Sequence, residues 1–170
     1  MFFVRKANPT DYAEIANIHF KSWRATYADL LPTSYINDKN DLCKKTEMWQ
    51  SLMAHPDVIV WVAYDNADNI VGFIGYFAHS KDYEITTLYV LPNYQGLGIG
   101  TQLMKASLQD ILECHIDAYV YLWVLAGNIA AIEFYQRLGF VHNGENSEER
   151  YKGTKIIDIK MVRKLDELNA

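Results

Sequence analysis

Apolar residues follow two spacings along the chain, and each switch between them marks an element. Residues 2–6 read as a short strand. Asn8-Pro9-Thr10-Asp11 then carries a helix start: a capping Asn, a proline where no amide donor is needed, and an acid beside the positive end of the dipole. Tyr12, Ala16, Phe20, Trp23 and Tyr27 follow at steps of four and three, one stripe on a first helix that Leu31-Pro32 stops. Thr33-Ser34 opens a second helical region, interrupted, to about residue 54, and Pro56 closes it.

The period then falls towards two. Residues 58–64 and 70–78 are β-rich and flank the turn cluster Asp65-Asn66-Ala67-Asp68-Asn69, which predicts a hairpin. Residues 83–91 form a further strand, ended by Pro92-Asn93. Residues 98–114 return to helical spacing, with Gln102, Lys105, Gln109 and Glu113 on one row and Ile99, Leu103, Met104, Leu108, Ile111 and Leu112 filling the other side. Residues 118–125 are almost all apolar, which predicts a strand buried on both faces. Asn128 caps a short helix that stops at Gly139. Residues 140–143 and 155–164 read as two closing strands, with 145–150 as a solvated turn between them. The order is β-α-α-β-β-β-α-β-α-β-β. It predicts an α/β fold in which a mixed sheet carries helices on both faces. No repeat or linker interrupts the 170 residues, so residues 1–170 read as one domain.

Composition changes this picture by exclusion. With 50% hydrophobic and 22% charged residues, the chain is neither disordered nor fibrous. No run of 18 apolar residues exists, so no membrane span is expected. Met1-Phe2-Phe3-Val4-Arg5-Lys6 does not read as a signal peptide, and the cytoplasm is the expected compartment. Sixteen basic against 21 acidic residues (net −5) leave no basic surplus for nucleic acid and tilt the preference slightly towards cationic partners. Cys43 and Cys114 are isolated, and His19, His55, His79, His115 and His142 share no ligand spacing, so neither a disulfide nor a metal is expected.

Chemistry concentrates in Leu88-Tyr89-Val90-Leu91-Pro92-Asn93-Tyr94-Gln95-Gly96-Leu97-Gly98-Ile99-Gly100. A strand runs into a glycine loop that opens a helix, which exposes backbone N–H groups at a positive helix end and lets an anion approach closely. A phosphate or pyrophosphate is the expected guest. Glycines at 96, 98 and 100 do not fit the G-x-G-x-x-G dinucleotide fingerprint, and Gly100-Thr101 lacks the lysine of a Walker A loop.

Gln95-x-x-Gly98-x-Gly100 resembles instead the Q/R-x-x-G-x-G/A signature of the GNAT acetyltransferase superfamily, which binds the pyrophosphate of acetyl-CoA. A second block, Asn128-Ile129-Ala130-Ala131-Ile132-Glu133-Phe134-Tyr135-Gln136-Arg137-Leu138-Gly139-Phe140, resembles that family's N-x-x-A-x-x-F-Y-x-x-x-G-F pattern at every marked position. Ser22-Trp23-Arg24-Ala25-Thr26-Tyr27 is similar to the first helix of many members, and the element order agrees over nearly the whole chain.

The resemblance implies a mostly antiparallel sheet, acetyl-CoA as co-substrate and no metal. It implies cofactor contacts from Leu88, Tyr89, Val90, Gln95, Gly96, Leu97, Gly98, Ile99, Gly100, Thr101 and Asn128. The strand ending at Val90 pairs with the pantetheine arm and is splayed from the strand at 118–125 to admit it. Tyr135 matches the tyrosine that donates to the CoA sulfur, as general acid. Glu84 lies where many members carry a base, acting directly or through water, and its six-residue separation from Val90 is about 20 Å of strand. The Val90 amide would polarise the thioester carbonyl. Trp23, Tyr27 and Tyr35 fall where the acceptor wall is built. The closing strands are the ones through which members pair, so a homodimer is one arrangement.

Acyl transfer to an amine needs loss of the ammonium proton, a donor for the oxyanion and a proton or hydrogen bond for the thiolate. The implied function is acetyl transfer from acetyl-CoA to a primary amine of a small molecule or peptide, by direct attack in a ternary complex. Two rivals remain: another acyl group or a hydroxyl acceptor, and a non-catalytic acyl-CoA sensor. Each residue also has a plain structural use: Tyr135, Trp23, Tyr27 and Tyr35 as packing, Glu84 as an exposed strand acid, Asn128 as an N-cap.

Overall fold

The computed structural model describes residues 1–80 and 82–166. Strands β1 (Phe3–Lys6), β2 (Val58–Tyr64), β3 (Ile70–His79), β4 (Asp82–Val90), β5 (Tyr119–Leu125), β6 (Val141–Tyr151) and β7 (Thr154–Lys164) make one sheet in the order β1-β2-β3-β4-β5-β7-β6. Neighbours are antiparallel except β4 and β5, which are parallel. A parallel pair needs a crossover. Helix α4 (Ile99–Cys114) supplies it.

Strand alternation gives the sheet two apolar faces. Val60 and Val62 pack with Ile15, Ile18 and Trp49 beneath α1 (Tyr12–Tyr27) and α3 (Leu42–Leu52). Ile59, Trp61 and Ala63 pack on the opposite face with Leu103, Met104 and Ile111 of α4, where α5 (Ile129–Arg137) also adds Ile132. A third cluster joins Tyr35 of α2 (Thr33–Lys39) to Leu125 and Ile156, with Trp23, Tyr27 and Tyr151 packed against it.

The helix start forms as the residues predict: Asn8 and Asp11 make a capping box, with the Asn8 N–H donating to Asp11 Oδ2 at 2.7 Å. The most deeply buried face of α1 is Ile15, Ala16, Ile18, His19 and Ser22, while Tyr12, Phe20, Trp23 and Tyr27 lie along its half-buried margin. Two other expectations are corrected. Residues 145–150 are not a turn but the middle of β6, whose residues 141–150 are all exposed; an edge strand wetted on both sides has no apolar alternation to betray it. Residues 118–125 are not buried on both faces, because Trp123 is 37% exposed and Tyr119 and Tyr121 are half-buried.

That exposure has its origin in β4. Gly75 pairs with Thr87 and Tyr76 with Ile85, so Thr86 is an extra residue, a β-bulge whose hydroxyl donates to the Gly75 carbonyl at 3.2 Å. Bulges bend the strand and increase its twist. The β4–β5 ladder ends at this point, with Ile85 opposite Leu122, although β5 continues with β7 as far as Leu125 opposite Asp158. Residues 86–90 therefore have β3 on one side and an open cleft on the other.

Candidate active site

The cleft is a cavity of about 660 Å³. Its walls are β4 from Ile85 to Val90, residues Leu122, Trp123 and Val124 of β5, the loop into α4, and Asn128, Ala130, Ala131, Phe134, Tyr135 and Arg137 on the far side, with Thr26 and Tyr27 of α1.

The β4 wall presents backbone. Leu91 N–H donates to Val71 O of β3 at 2.9 Å. Because successive amides alternate in direction, the N–H groups of Val90 and Leu88 point the other way, into the cleft. The Val90 carbonyl shares that side and accepts from Ser22 Oγ at 3.2 Å and Gln95 Nε2 at 3.1 Å. Ser22, fully buried on α1, ties the helix to this strand, and Gln95 ties the loop to it.

The loop presents amides. Gly96 and Gly98 sit at φ +75° and +78°, left-handed conformations that L side chains adopt only at a cost. A Cβ at either position would meet nothing within 4 Å, so the space above the loop is open. The first helical amide to find a carbonyl here is that of Gln102, which donates to Gly98 O at 3.0 Å. The amides of Ile99, Gly100 and Thr101 stand ahead of it at the positive helix end. A cradle of amides with open space above it, at the end of a groove edged by free strand amides, fits an elongated group that carries phosphates at one end. Arg137 adds a cation to the lining; it occupies an unmarked position of the second motif, which is why the sequence did not single it out.

Leu88, Tyr89, Val90, Gln95, Gly96, Gly98, Ile99, Gly100, Thr101, Asn128 and Tyr135 thus line one cavity, while Leu97, 55% exposed, is outside it. Asn128 also caps α5, accepting from Ala131 N–H at 3.2 Å. Tyr135 packs on Phe134 and Phe140, at centroid distances of 5.3 and 6.0 Å, and burial together with Tyr27 pushes its phenol pKa up. It therefore keeps its proton through the neutral range. Tyr89 is raised strongly by burial and by Tyr27. Behind the cleft, Tyr89 stacks on His19 at 4.9 Å, and Trp49 Nε1 donates to His19 Nδ1 at 3.0 Å. Burial and then the charge of Lys45 push His19 down to about 3, so the ring is neutral.

Glu84 lies outside the cavity lining, on the last paired stretch of β4 and β5. Its carboxylate accepts from Tyr121 OH at 3.2 Å, with His79 Nε2 at 4.0 Å. Of the three aromatic residues expected in the acceptor wall, Tyr27 lines the cavity, and Trp23 and Tyr35 stand behind it at 5.0 Å from Tyr27 and 6.4 Å from Trp23 respectively. Tyr35 donates to Glu149 Oε2 at 2.8 Å, and burial and that carboxylate push its phenol up to about 12. Asp158 and Glu149, brought here by β7 and β6, were not selected from the sequence. Among the described residues no group of three or more His, Cys, Asp or Glu could hold a metal, and no helix is long and apolar enough to cross a membrane.

A parallel pair of strands parted at a bulge, with a glycine loop and helix end at the mouth of the gap, is the arrangement that the resemblance to acetyl-CoA-dependent transferases implies. The sequence matches the model of the acetyltransferase (GNAT) family over residues 13–140, and the chain belongs to that family as a GNAT-type N-acetyltransferase. Uncharacterized N-acetyltransferase YuaI of Bacillus subtilis is 30% identical over 141 residues, covering 80% of this chain and 78% of that protein. Spermine/spermidine N(1)-acetyltransferase of the same organism is 40% identical over 57 residues, 34% of this chain and 38% of that protein. Among solved structures, PaiA N-acetyltransferase from Thermoplasma acidophilum in complex with coenzyme A superposes with a TM-score of 0.78 over 96% of this chain and 99% of that one, at 22% identity.

Proposed function

We propose that this chain moves the acetyl group of acetyl-CoA to a primary amine of a small molecule or peptide, by direct attack in a ternary complex. The observation that carries the reading is the parting of β4 from β5 at Thr86, in line with the amide cradle at the start of α4. The coenzyme A in the PaiA neighbour and the amine substrates in the name of the Bacillus subtilis spermine/spermidine enzyme support it.

Bound acetyl-CoA supplies an acetyl group activated as a thioester; the chain supplies position and protons. The amides at 99–101 and Arg137 hold the pyrophosphate, and the free N–H groups of Leu88 and Val90 hold the arm, with Val90 polarising the thioester carbonyl. Tyr135, protonated and facing the cavity, gives its proton to the departing sulfur. The acceptor must first lose a proton held with a pKa of about 10.4. Glu84 takes that proton through water, its carboxylate steadied by Tyr121, which shares a face of β5 with the cavity residue Trp123. No covalent enzyme intermediate is needed, and positioning supplies much of the acceleration.

The test is isothermal titration of the protein with acetyl-CoA, with NAD and ATP as controls, followed by a screen of amines for released CoA thiol. Selective binding of acetyl-CoA and turnover with an amine are expected. A correctly folded protein that does not bind acetyl-CoA refutes the reading.

A further inference from the structure

Asp158 lies at the centre of β7, directly opposite Leu125 of β5 and Ser147 of β6. It shares a strand face with Ile156, which packs against Tyr35 in the cluster containing Trp23, Tyr27 and Tyr151. Tyr27 and Tyr35 both feel its charge, and Tyr27 in turn helps to raise the pKa of Tyr135. Asp158 therefore stands behind Tyr27, which lines the cavity, without lining the cavity itself.

Its charge is unmet. None of the ion pairs among the described residues includes Asp158. The next residue on its face, Lys160, turns to Glu145 at 3.1 Å and to the rings of Tyr121 and Trp123 at 4.8 and 5.7 Å. A half-buried carboxylate without a cation is unfavourable. Burial and neighbouring Glu149 accordingly push its pKa up.

The surroundings already accept alkylammonium groups. Lys39 Nζ lies 5.6 Å over the Tyr35 ring and 3.5 Å from Glu149, so a ring and a carboxylate of this wall together hold a lysine ammonium. Lys45 and Lys152 place theirs 5.3 Å over Trp23 and 4.8 Å over Tyr151. Aromatic faces attract such cations. Asp158, facing the same rings, is the carboxylate of this wall that lacks an ammonium.

We propose that Asp158 is a specificity-determining residue that binds a second ammonium group of the acceptor, beyond the reacting nitrogen, so that the enzyme prefers a diamine or polyamine to a monoamine. The proposal rests on the amine-acetyltransferase reading above. A charge behind Tyr27 is too far along the acceptor to hold the nitrogen that attacks, but it suits a cation a few methylenes further on, with the chain between them lying across Tyr27.

The test compares spermidine with n-butylamine in wild type, Asp158→Asn and Asp158→Glu. Asp158→Asn is expected to raise KM for spermidine by roughly tenfold or more, the size expected for losing one charge-assisted contact. Its kcat should be little changed, its constants for n-butylamine within about twofold, and Asp158→Glu should recover part of the loss. Calorimetry of spermidine against the CoA-saturated protein should show the same loss of affinity, with CoA binding unaltered. Equal treatment of both amines by Asp158→Asn, or a fall in kcat with both, overturns the second-ammonium role while leaving the transferase reading intact. A wild type that binds no acetyl-CoA or acetylates no amine overturns both.

Discussion

Removing one oxygen atom, by Tyr135→Phe, separates chemistry from structure at this site. The ring's packing on Phe134 and Phe140 is unchanged by the substitution. The Tyr135 hydroxyl makes no hydrogen bond to another described residue, so its loss leaves no buried partner unpaired. Stability should therefore move by no more than about 0.5 kcal/mol, as at sites with no structural penalty. The amide cradle at 96–101 lies on a different element, so acetyl-CoA affinity should also hold. If Tyr135 protonates the leaving sulfur, the variant loses a general acid, an effect of about 10²–10⁴ in rate. At about 1.36 kcal/mol per factor of ten, that raises the barrier by roughly 3–5 kcal/mol. The phenol's pKa is pushed up, so its acid form persists at neutral pH and titration of Tyr135 itself should not limit the wild-type rate there. The assay is CoA-thiol release at saturating acetyl-CoA and amine, from pH 6 to 9, beside a thermal melt and a calorimetric acetyl-CoA titration. A variant whose kcat stays within about twofold of wild type refutes the acid role; one whose kcat falls only in step with its stability shows the ring to be packing.

The remaining predictions probe the cradle and the wall behind β4. Gly98→Arg forces a side chain into a left-handed conformation at a cost of about 1–2 kcal/mol and projects it into open space where phosphates would lie; the protein should fold and lose acetyl-CoA binding, and unchanged affinity by calorimetry would dismiss the cradle. Trp49→Ala removes an indole that is 1% exposed and donates to His19, so denaturant unfolding should show a loss of about 3–5 kcal/mol; a loss under 1 kcal/mol would contradict the packing described. His19 is held at about 3 in the fold against an ordinary 6.5. The unfolded chain takes up that proton first, so stability is full above pH 6.5 and falls, by up to about 1.4 kcal/mol per unit, as pH drops towards 3. Unfolding of wild type and His19→Gln at pH 7 and pH 5 checks this: the variant should lose less on acidification, and parallel losses would show that His19 is not the titrating group.

Legibility followed the kind of signal each feature leaves in side chains. The amide cradle was readable because positive φ at Gly96 and Gly98 demands glycine, and the α5 block because Asn128 caps, Phe134 and Tyr135 pack, and Gly139 ends the helix at φ +81°. The cleft was not readable. A strand beside a ligand needs the same outward amides and the same alternation as a strand beside another strand, so residues 86–90 look ordinary, and the bulge at Thr86 shows only in register. Strand β6 hid for the opposite reason, since full exposure removes the alternation that marks a strand. Asp158 hid because its neighbours Tyr27, Tyr35 and Glu149 come from distant stretches of chain that only the closing strands bring together. Trp123 links these cases. Within a run read as core it is 37% exposed, because β4 has already left β5 at Ile85 and Leu122. An apolar residue in a central strand that reaches solvent is evidence of a missing neighbour, and here the gap left by that neighbour is the cleft between residues 86–90 and β5.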